Sequence, residues 1–341
     1  MTGTSFRSDN VGPVASEIMD AMAAVNSGPA PSYGRDDLTT RVEEIFAEVF
    51  EHPVRVHPVA TGTAANCLAL ERLVAPGGTI LCHDDAHILN TEEGAPATFI
   101  PGSVCVGVSG AFGRIDDAAL DSALDRLSSP AGTALSLTQV TEWGTVYGLD
   151  HVTRLAGAAH ERGLRVHMDG ARFAGAVAAL GCTPAEASWR AGIDVLSLGA
   201  SKNGALNAEA VVYFDPTLAD GAFPGRKRTG HMYSKMRFLS AQLEAYLRDG
   251  LWLRFAARAN AAAARLADGL AAIPGIALAA PCEANLVFAE MPEAVSAGLA
   301  ADGFVFAAWH GGAATRLVPS FATTDAEVDA LIAAARRHAG S

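Results

Sequence analysis

The feature that most limits how this chain can fold is the regular return of short apolar runs separated by segments with helical spacing. "VRVHPV" (54–59), "GTILC" (78–82), "ALSLTQV" (134–140), "LRVHMD" (164–169), "DVLSLG" (194–199) and "AVVYF" (210–214) read as buried strands. Between them, "TAANCLALERLV" and "LDHVTRLAGAAHERG" place apolar residues three and four apart, as a helix requires. A strand that is apolar throughout must be covered on both faces, so the alternation predicts an α/β protein with a parallel or mixed sheet between helices. Past residue 231 the pattern changes. Alanine-rich helical text runs to Ala272 with a break near Gly250, followed by the short strands "IALAA", "NLVFAEM", "FVFAAW" and "ATRLVPS" and a last helix from Asp325. The expected division is an irregular N-terminal segment (1–30) packing on the large domain and a partner subunit, a large domain (31–240) and a smaller α+β domain (241–341).

Composition removes several function classes. The 341 residues are 50% hydrophobic and 18% charged, enough to fill a sizeable core, and carry a net charge of −12. No basic stripe is present to neutralise a phosphate backbone, so nucleic acid is not an expected partner. The first fifteen residues lack a signal-peptide pattern, and no stretch approaches the ~18 apolar residues of a membrane span, so a cytoplasmic protein is expected. The five cysteines are scattered and form no CxxC pair, which argues against a zinc ribbon or disulfide scaffold. No GxGxxG or GxxxxGK[ST] motif supports a dinucleotide or P-loop site.

In an open α/β sheet, ligands bind beyond the carboxyl ends of the strands. Three such places stand out. Thr61, Gly62 and Thr63 in "ATGTAAN" open a helix whose free N–H groups favour a phosphate, although they also suit an ordinary helix cap. Asp169 closes "LRVHMD", and Lys202 follows "DVLSLG" 33 positions later, the length of one strand–helix–strand unit. The chain uses 22 arginines and only three lysines, and arginine cannot do the chemistry of a free amine. A phosphate cradle, a carboxylate and an amine in one crevice are what pyridoxal phosphate requires: an anchor, a partner for its ring nitrogen and a Schiff-base lysine.

"TGTAAN", "DGAR" and "SLGASKNG", in this order and with "FRSDN" at the start, resemble the low-specificity L-threonine aldolase family, within the aromatic amino acid β-eliminating lyase/threonine aldolase group of fold type I pyridoxal phosphate enzymes. The resemblance covers almost the whole chain. It implies a fold type I large domain with a mostly parallel seven-stranded sheet, and a homotetramer, a dimer of dimers, whose sites combine two subunits. The implied activity is retro-aldol cleavage of threonine, allo-threonine or phenylserine to glycine and an aldehyde, and the reverse addition. Lys202 would carry the cofactor, Asp169 would face its ring nitrogen, Gly62 and Thr63 would bind its phosphate, and His87 would lie over the ring. Arg172, Ser8 and Arg316 resemble the group that fixes the substrate carboxylate, Tyr33 matches a tyrosine near the cofactor, and Glu92 falls where the family often has a carboxylate. Of the basic residues in "GRKRTGHMYSKMRF" (225–238), Lys227, Arg228 and Lys235 could reach the phosphate, in some members from a neighbouring subunit; Lys235 is preferred because it is read as beginning a helix.

The chain departs from the pattern after "ALSLTQV". Better-known members have a histidine near the substrate hydroxyl where this chain has Glu142, in "TEWGTVYG". Either Glu142, His87 or a water then removes the hydroxyl proton, and Trp143 adds bulk that would shape the aldehyde pocket. His83, Asp84, Asp85 and His87 have metal-ligating side chains, but alternation along an extended loop would keep them from converging, and no metal is expected. Three alternatives stay open: a β-eliminating lyase, a glycyl-transferring transaldolase, and a non-catalytic pyridoxal phosphate or small-molecule binding protein.

Overall fold

The large sheet contains β1 (Arg55–Val59), β2 (Thr79–His83), β3 (Val104–Val108), β4 (Ala134–Thr138), β5 (Arg165–Gly170), β6 (Val195–Gly199) and β7 (Glu209–Tyr213), in the spatial order β1-β7-β6-β5-β4-β2-β3. The computed structural model describes residues 4–127, 129, 131–312 and 314–340; the outermost residues of the expected first and last segments, 1–3 and 341, lie outside them. β2 to β6 run parallel, whereas β7 is antiparallel to both of its neighbours. The carboxyl ends of β1, β2, β4, β5 and β6 therefore meet on one edge, where Gly199 and Val59 both pair with the opening residue of β7, Glu209.

β4, β6 and β7 are buried at every position, which explains why their sequences are unbroken apolar runs. Helix Gly62–Glu71 covers one face through Ala65, Leu68 and Ala69. Leu149–Glu161 and Phe173–Leu180 cover the other. β3, "VCVGV", was not among the expected strands. It lies at the sheet edge with Val104 and Val106 facing outward, and its lone glycine and half-exposed valines weaken the apolar signal.

The second sheet is antiparallel, ordered β10 (Ala307–Trp309), β11 (Ala314–Leu317), β9 (Val287–Glu290) and β8 (Ala277–Leu278). The expected break near Gly250 is present: Asp249 and Gly250 take left-handed φ values of 54° and 67° between helices Arg237–Leu247 and Leu251–Ala271. The second of these helices serves both cores. Leu251, Trp252 and Phe255 pack into the large one, while Ala263, Leu266 and Leu270 pack into the small one.

The N-terminal segment is more ordered than its Gly, Pro and Ser content suggests. Phe6 is fully buried in the small core, held by Phe6 N–Val305 O and Val318 N–Phe6 O hydrogen bonds of 2.7 Å. Helix Ser16–Ala24 then buries Ile18 in the large core, so the segment is laced to its own chain. Among the described residues no helix is long and apolar enough to cross a membrane.

Candidate active site

Lys202 lies half-buried in the 3-10 turn Ser201–Asn203 that follows β6. The turn is pinned from two sides. Asn203 donates to Tyr246 Oη at 2.8 Å and to the Trp252 carbonyl at 2.9 Å, and Glu209 accepts from the backbone N–H of Ala200 at 3.1 Å and of Ser201 at 3.4 Å. Burial pushes the Glu209 carboxyl up to about 7, against the pull of the nearby Lys202 ammonium and these N–H donors.

Lys202 shares a cavity of about 320 Å³ with Thr61, Gly62, Thr63, His87 and Ser201. Thr61 caps helix Gly62–Glu71, its hydroxyl accepting from Ala64 N at 3.2 Å. That leaves the first-turn N–H groups of Gly62 and Thr63 without an intrahelical acceptor, and a Cβ built on Gly62 would meet open space. Asp169, 4% exposed, stands at the end of β5 with Oδ1 accepting from Ala171 N at 3.0 Å and Oδ2 from Asn66 Nδ2 at 2.9 Å.

His87 opens the short helix His87–Asn90, and its Nδ1 is 2.9 Å from Glu92 Oε1. This bond holds the His87 pKa above its ordinary value despite partial burial, with Glu142 and Asp169 adding to the effect. Glu92, a weak candidate from the sequence, is thus a buried partner of the ring. The other members of the polar stretch are engaged elsewhere: His83 Nε2 lies 3.0 Å from the Gly110 carbonyl, and Asp85 accepts from Trp143 Nε1 at 2.8 Å. Among the described residues no cluster of three or more His, Cys, Asp or Glu side chains could hold a metal ion.

Arg172 is held by an acid the sequence reading missed. Asp9, buried and next to Ser8 in "FRSDN", takes Arg172 Nε at 2.7 Å and Nη2 at 3.0 Å, and Asn285 donates to the same carboxylate at 3.1 Å. Burial would raise the Asp9 pKa, but Arg172 and Lys202 outweigh it and hold the carboxyl below its usual value. Ser8 spends its hydroxyl on capping, accepting from Asn10 N at 3.2 Å.

Arg316, on β11, makes no ion pair among the described residues. Its Nη2 reaches the Arg7 carbonyl at 3.4 Å, its Nε is buried without a hydrogen-bond partner among them, and its guanidinium lies 5.3 Å from the Trp309 ring centre. Burial and the nearby Arg172 charge lower its pKa, outweighing the pull of the Asp9 and Glu142 carboxylates. The field of Glu142 acts on His87, Arg172 and Arg316, which places that carboxylate among all three. Beside it, Trp143 packs against Phe288 and Trp309, with ring centres 5.3 and 5.9 Å away.

Tyr33, Lys227, Arg228 and Lys235 do not line this cavity within one chain. Tyr33 has a left-handed φ of 61° and lines a separate cavity with His57 and Arg226, with Lys227 Nζ 4.6 Å from its ring centre. Arg228 pairs with Glu71 at 3.0 Å. Lys235 is exposed, in the turn before the helix that starts at Arg237, rather than beginning that helix as expected.

Residues 5–294 match the family model described as beta-eliminating lyase, and the chain belongs to that family. Within it, the chain is 40% identical over 321 residues to the low specificity L-threonine aldolase of Pseudomonas aeruginosa, covering 93% of each protein. The threonine aldolase of Leishmania major superposes with a TM-score of 0.91 at 27% identity, over 98% of this chain and 99% of that one. An SPT structure with bound PLP shares the fold alone, with a TM-score of 0.76 at 15% identity, over 98% of this chain and 87% of the other. The fold is therefore that of the fold type I pyridoxal phosphate enzymes, with the small antiparallel sheet at the C-terminal side.

Proposed function

We propose that this protein is a pyridoxal phosphate-dependent aldolase that cleaves L-threonine, L-allo-threonine or phenylserine to glycine and an aldehyde, and runs the reverse addition. The observation that carries the reading is that Lys202 and the open first turn at Gly62 and Thr63 line one cavity. Its donors suit the cofactor: an amine for the aldehyde and N–H groups for the phosphate, with the Asp169 carboxylate at the end of β5 to meet the ring nitrogen. When bound, pyridoxal phosphate supplies the electron sink that makes the Cα–Cβ bond breakable.

The protein's own part is binding, orientation and proton handling. Arg316 has no ion pair among the described residues and a buried Nε without a hydrogen-bond partner, as a site for a substrate carboxylate needs, and a planar fork fixes such an anion in one orientation. Arg172 supports it while Asp9 holds part of its fork, and Ser8 shapes the loop that carries Asp9. That orientation decides which bond at Cα lies across the electron sink, and so favours aldol cleavage over transamination. Glu142, His87 or a water would take the β-hydroxyl proton. Trp143, Phe288 and Trp309 pack together near Glu142 and would shape the aldehyde end of the site.

Further parts of the reading are a cytoplasmic location and a homotetramer, in which Tyr33 and the basic residues Lys227, Arg228 and Lys235 face a neighbouring chain's site. Their separation from Lys202 within one chain supports this. The test is to add pyridoxal phosphate, record the visible spectrum, then supply each substrate and assay glycine and aldehyde separately. A visible band with glycine release is expected; keto acid and ammonia would establish elimination instead.

A further inference from the structure

Asn66 lies in the second turn of helix Gly62–Glu71 and is 2% exposed. Its Nδ2 donates to Glu92 Oε1 at 3.0 Å and to Asp169 Oδ2 at 2.9 Å, and the same Glu92 oxygen meets His87 Nδ1 at 2.9 Å. One amide nitrogen therefore stands between two buried carboxylates. Asp169 has no ion pair among the described residues, and the partner of Glu92 is His87. Two carboxylates this close and this dry ordinarily relieve their repulsion by taking up a proton.

An amide nitrogen has two hydrogens and accepts none, so one Asn66 side chain can donate to both acids at once. The reverse placement of the amide would set Asn66 Oδ1 against both carboxylates. We infer that Asn66 is a positioning residue of this site: by donating to both acids it bridges Glu92 and Asp169, and ties the His87 ring to the carboxylate that would meet the cofactor. The inference rests on the function proposed above. The groups whose charges act on or are acted on by these two acids are His87, Cys67 and Cys105 at Glu92, and His87, His167 and Arg172 at Asp169.

Asn66→Asp keeps the shape of the side chain and exchanges the donor for an acceptor, whereas Asn66→Leu removes both. Pyridoxal phosphate affinity, read by absorbance and protein fluorescence, should be at least about tenfold weaker than wild type in Asn66→Asp at about pH 8.5, recovering to within about threefold at about pH 5.5 as the new carboxyl gains a proton to donate. Asn66→Leu should stay weak across the range. If Asn66→Asp binds too weakly to measure, the melting temperature of the cofactor-free protein reads the same event: its deficit against wild type should shrink as pH falls. A deficit that is the same at every pH, or no deficit in either variant, overturns the inference. A wild-type protein that shows no visible band with the cofactor would instead overturn the proposed function.

Discussion

Asp9 clasps Arg172 through both Nε and Nη2, at 2.7 and 3.0 Å, across 163 positions of sequence. The pair is almost completely enclosed, with the Asp9 side chain 1% and the Arg172 side chain 11% exposed. In such surroundings one charge without the other is far more costly than the pair is favourable.

Asp9→Asn should therefore destabilise the protein by about 3–5 kcal/mol, the usual effect of stripping one partner from a buried pair. Because the folded-state pKa of Asp9 is depressed, its contribution is present above the unfolded value of 3.8 and lost as pH falls through the lower folded value. Acid unfolding followed by circular dichroism should be less steep below that point in the variant. An unchanged acid limb would mean that Asp9 does not titrate on unfolding.

Glu209 gives the opposite sign. Its carboxyl is raised from 4.5 to about 7, so the stability it contributes is complete below the unfolded value and disappears as pH climbs through 7. In cofactor-free protein this amounts to about 3 kcal/mol at most. Glu209→Gln should flatten the stability profile across that window in urea titrations, and a slope equal to wild type would refute the assignment.

Lys202→Ala should still fold, because among the described residues the half-buried side chain has no hydrogen bond of its own to lose, with some loss of melting temperature as Asp9 and Glu209 lose its charge. It should nevertheless lack the visible band on cofactor addition and lose turnover by at least ~10³-fold. A retained band would move the reactive amine elsewhere.

Removing the carboxylate that holds the His87 ring tests its protonation. In Glu92→Gln the leading cause of the raised His87 pKa is gone and burial, which opposes the charged form, remains. The imidazole titration of cofactor-free protein, followed by NMR, should move down, and the acid limb of kcat/KM with it if His87 is the base. A downward shift by NMR with an unmoved limb would exclude His87 as the base and leave Glu142 or a water, which Glu142→Gln then separates.

Arg316→Lys keeps the charge and loses the planar fork. KM should rise about tenfold or more while kcat falls less, as expected for a group that holds the carboxylate before and during reaction. An unchanged KM would exclude Arg316 from carboxylate binding.

What was legible in the sequence follows from locality. Lys202, Asp169, Gly62 and Thr63 each follow a strand that its apolar run announces, and the parallel sheet brings those strand ends to one edge. Asn66 was quoted within "TGTAAN" without a role, because its two acceptors lie 26 and 103 positions away and a single polar residue in a helix carries no signal of its partners. Asp9 was hidden in the same way beside Ser8. β3 was missed because an edge strand needs to be apolar on only one face. Tyr33 and Lys235 were placed by motif alone, and a motif does not say whose cavity its side chain enters.

The pairing of Phe6 with Val305 and Val318, followed three residues later by the Asp9–Arg172 clasp, bears on how the protein is made. Residues synthesised early must wait for partners synthesised close to the end, and Asp9 also needs Asn285. The large sheet can assemble during translation while the carboxylate end of the pocket stays open. Catalytic competence would then arrive late and abruptly, when the small sheet closes around Phe6 and the loop that carries Asp9 is drawn into place.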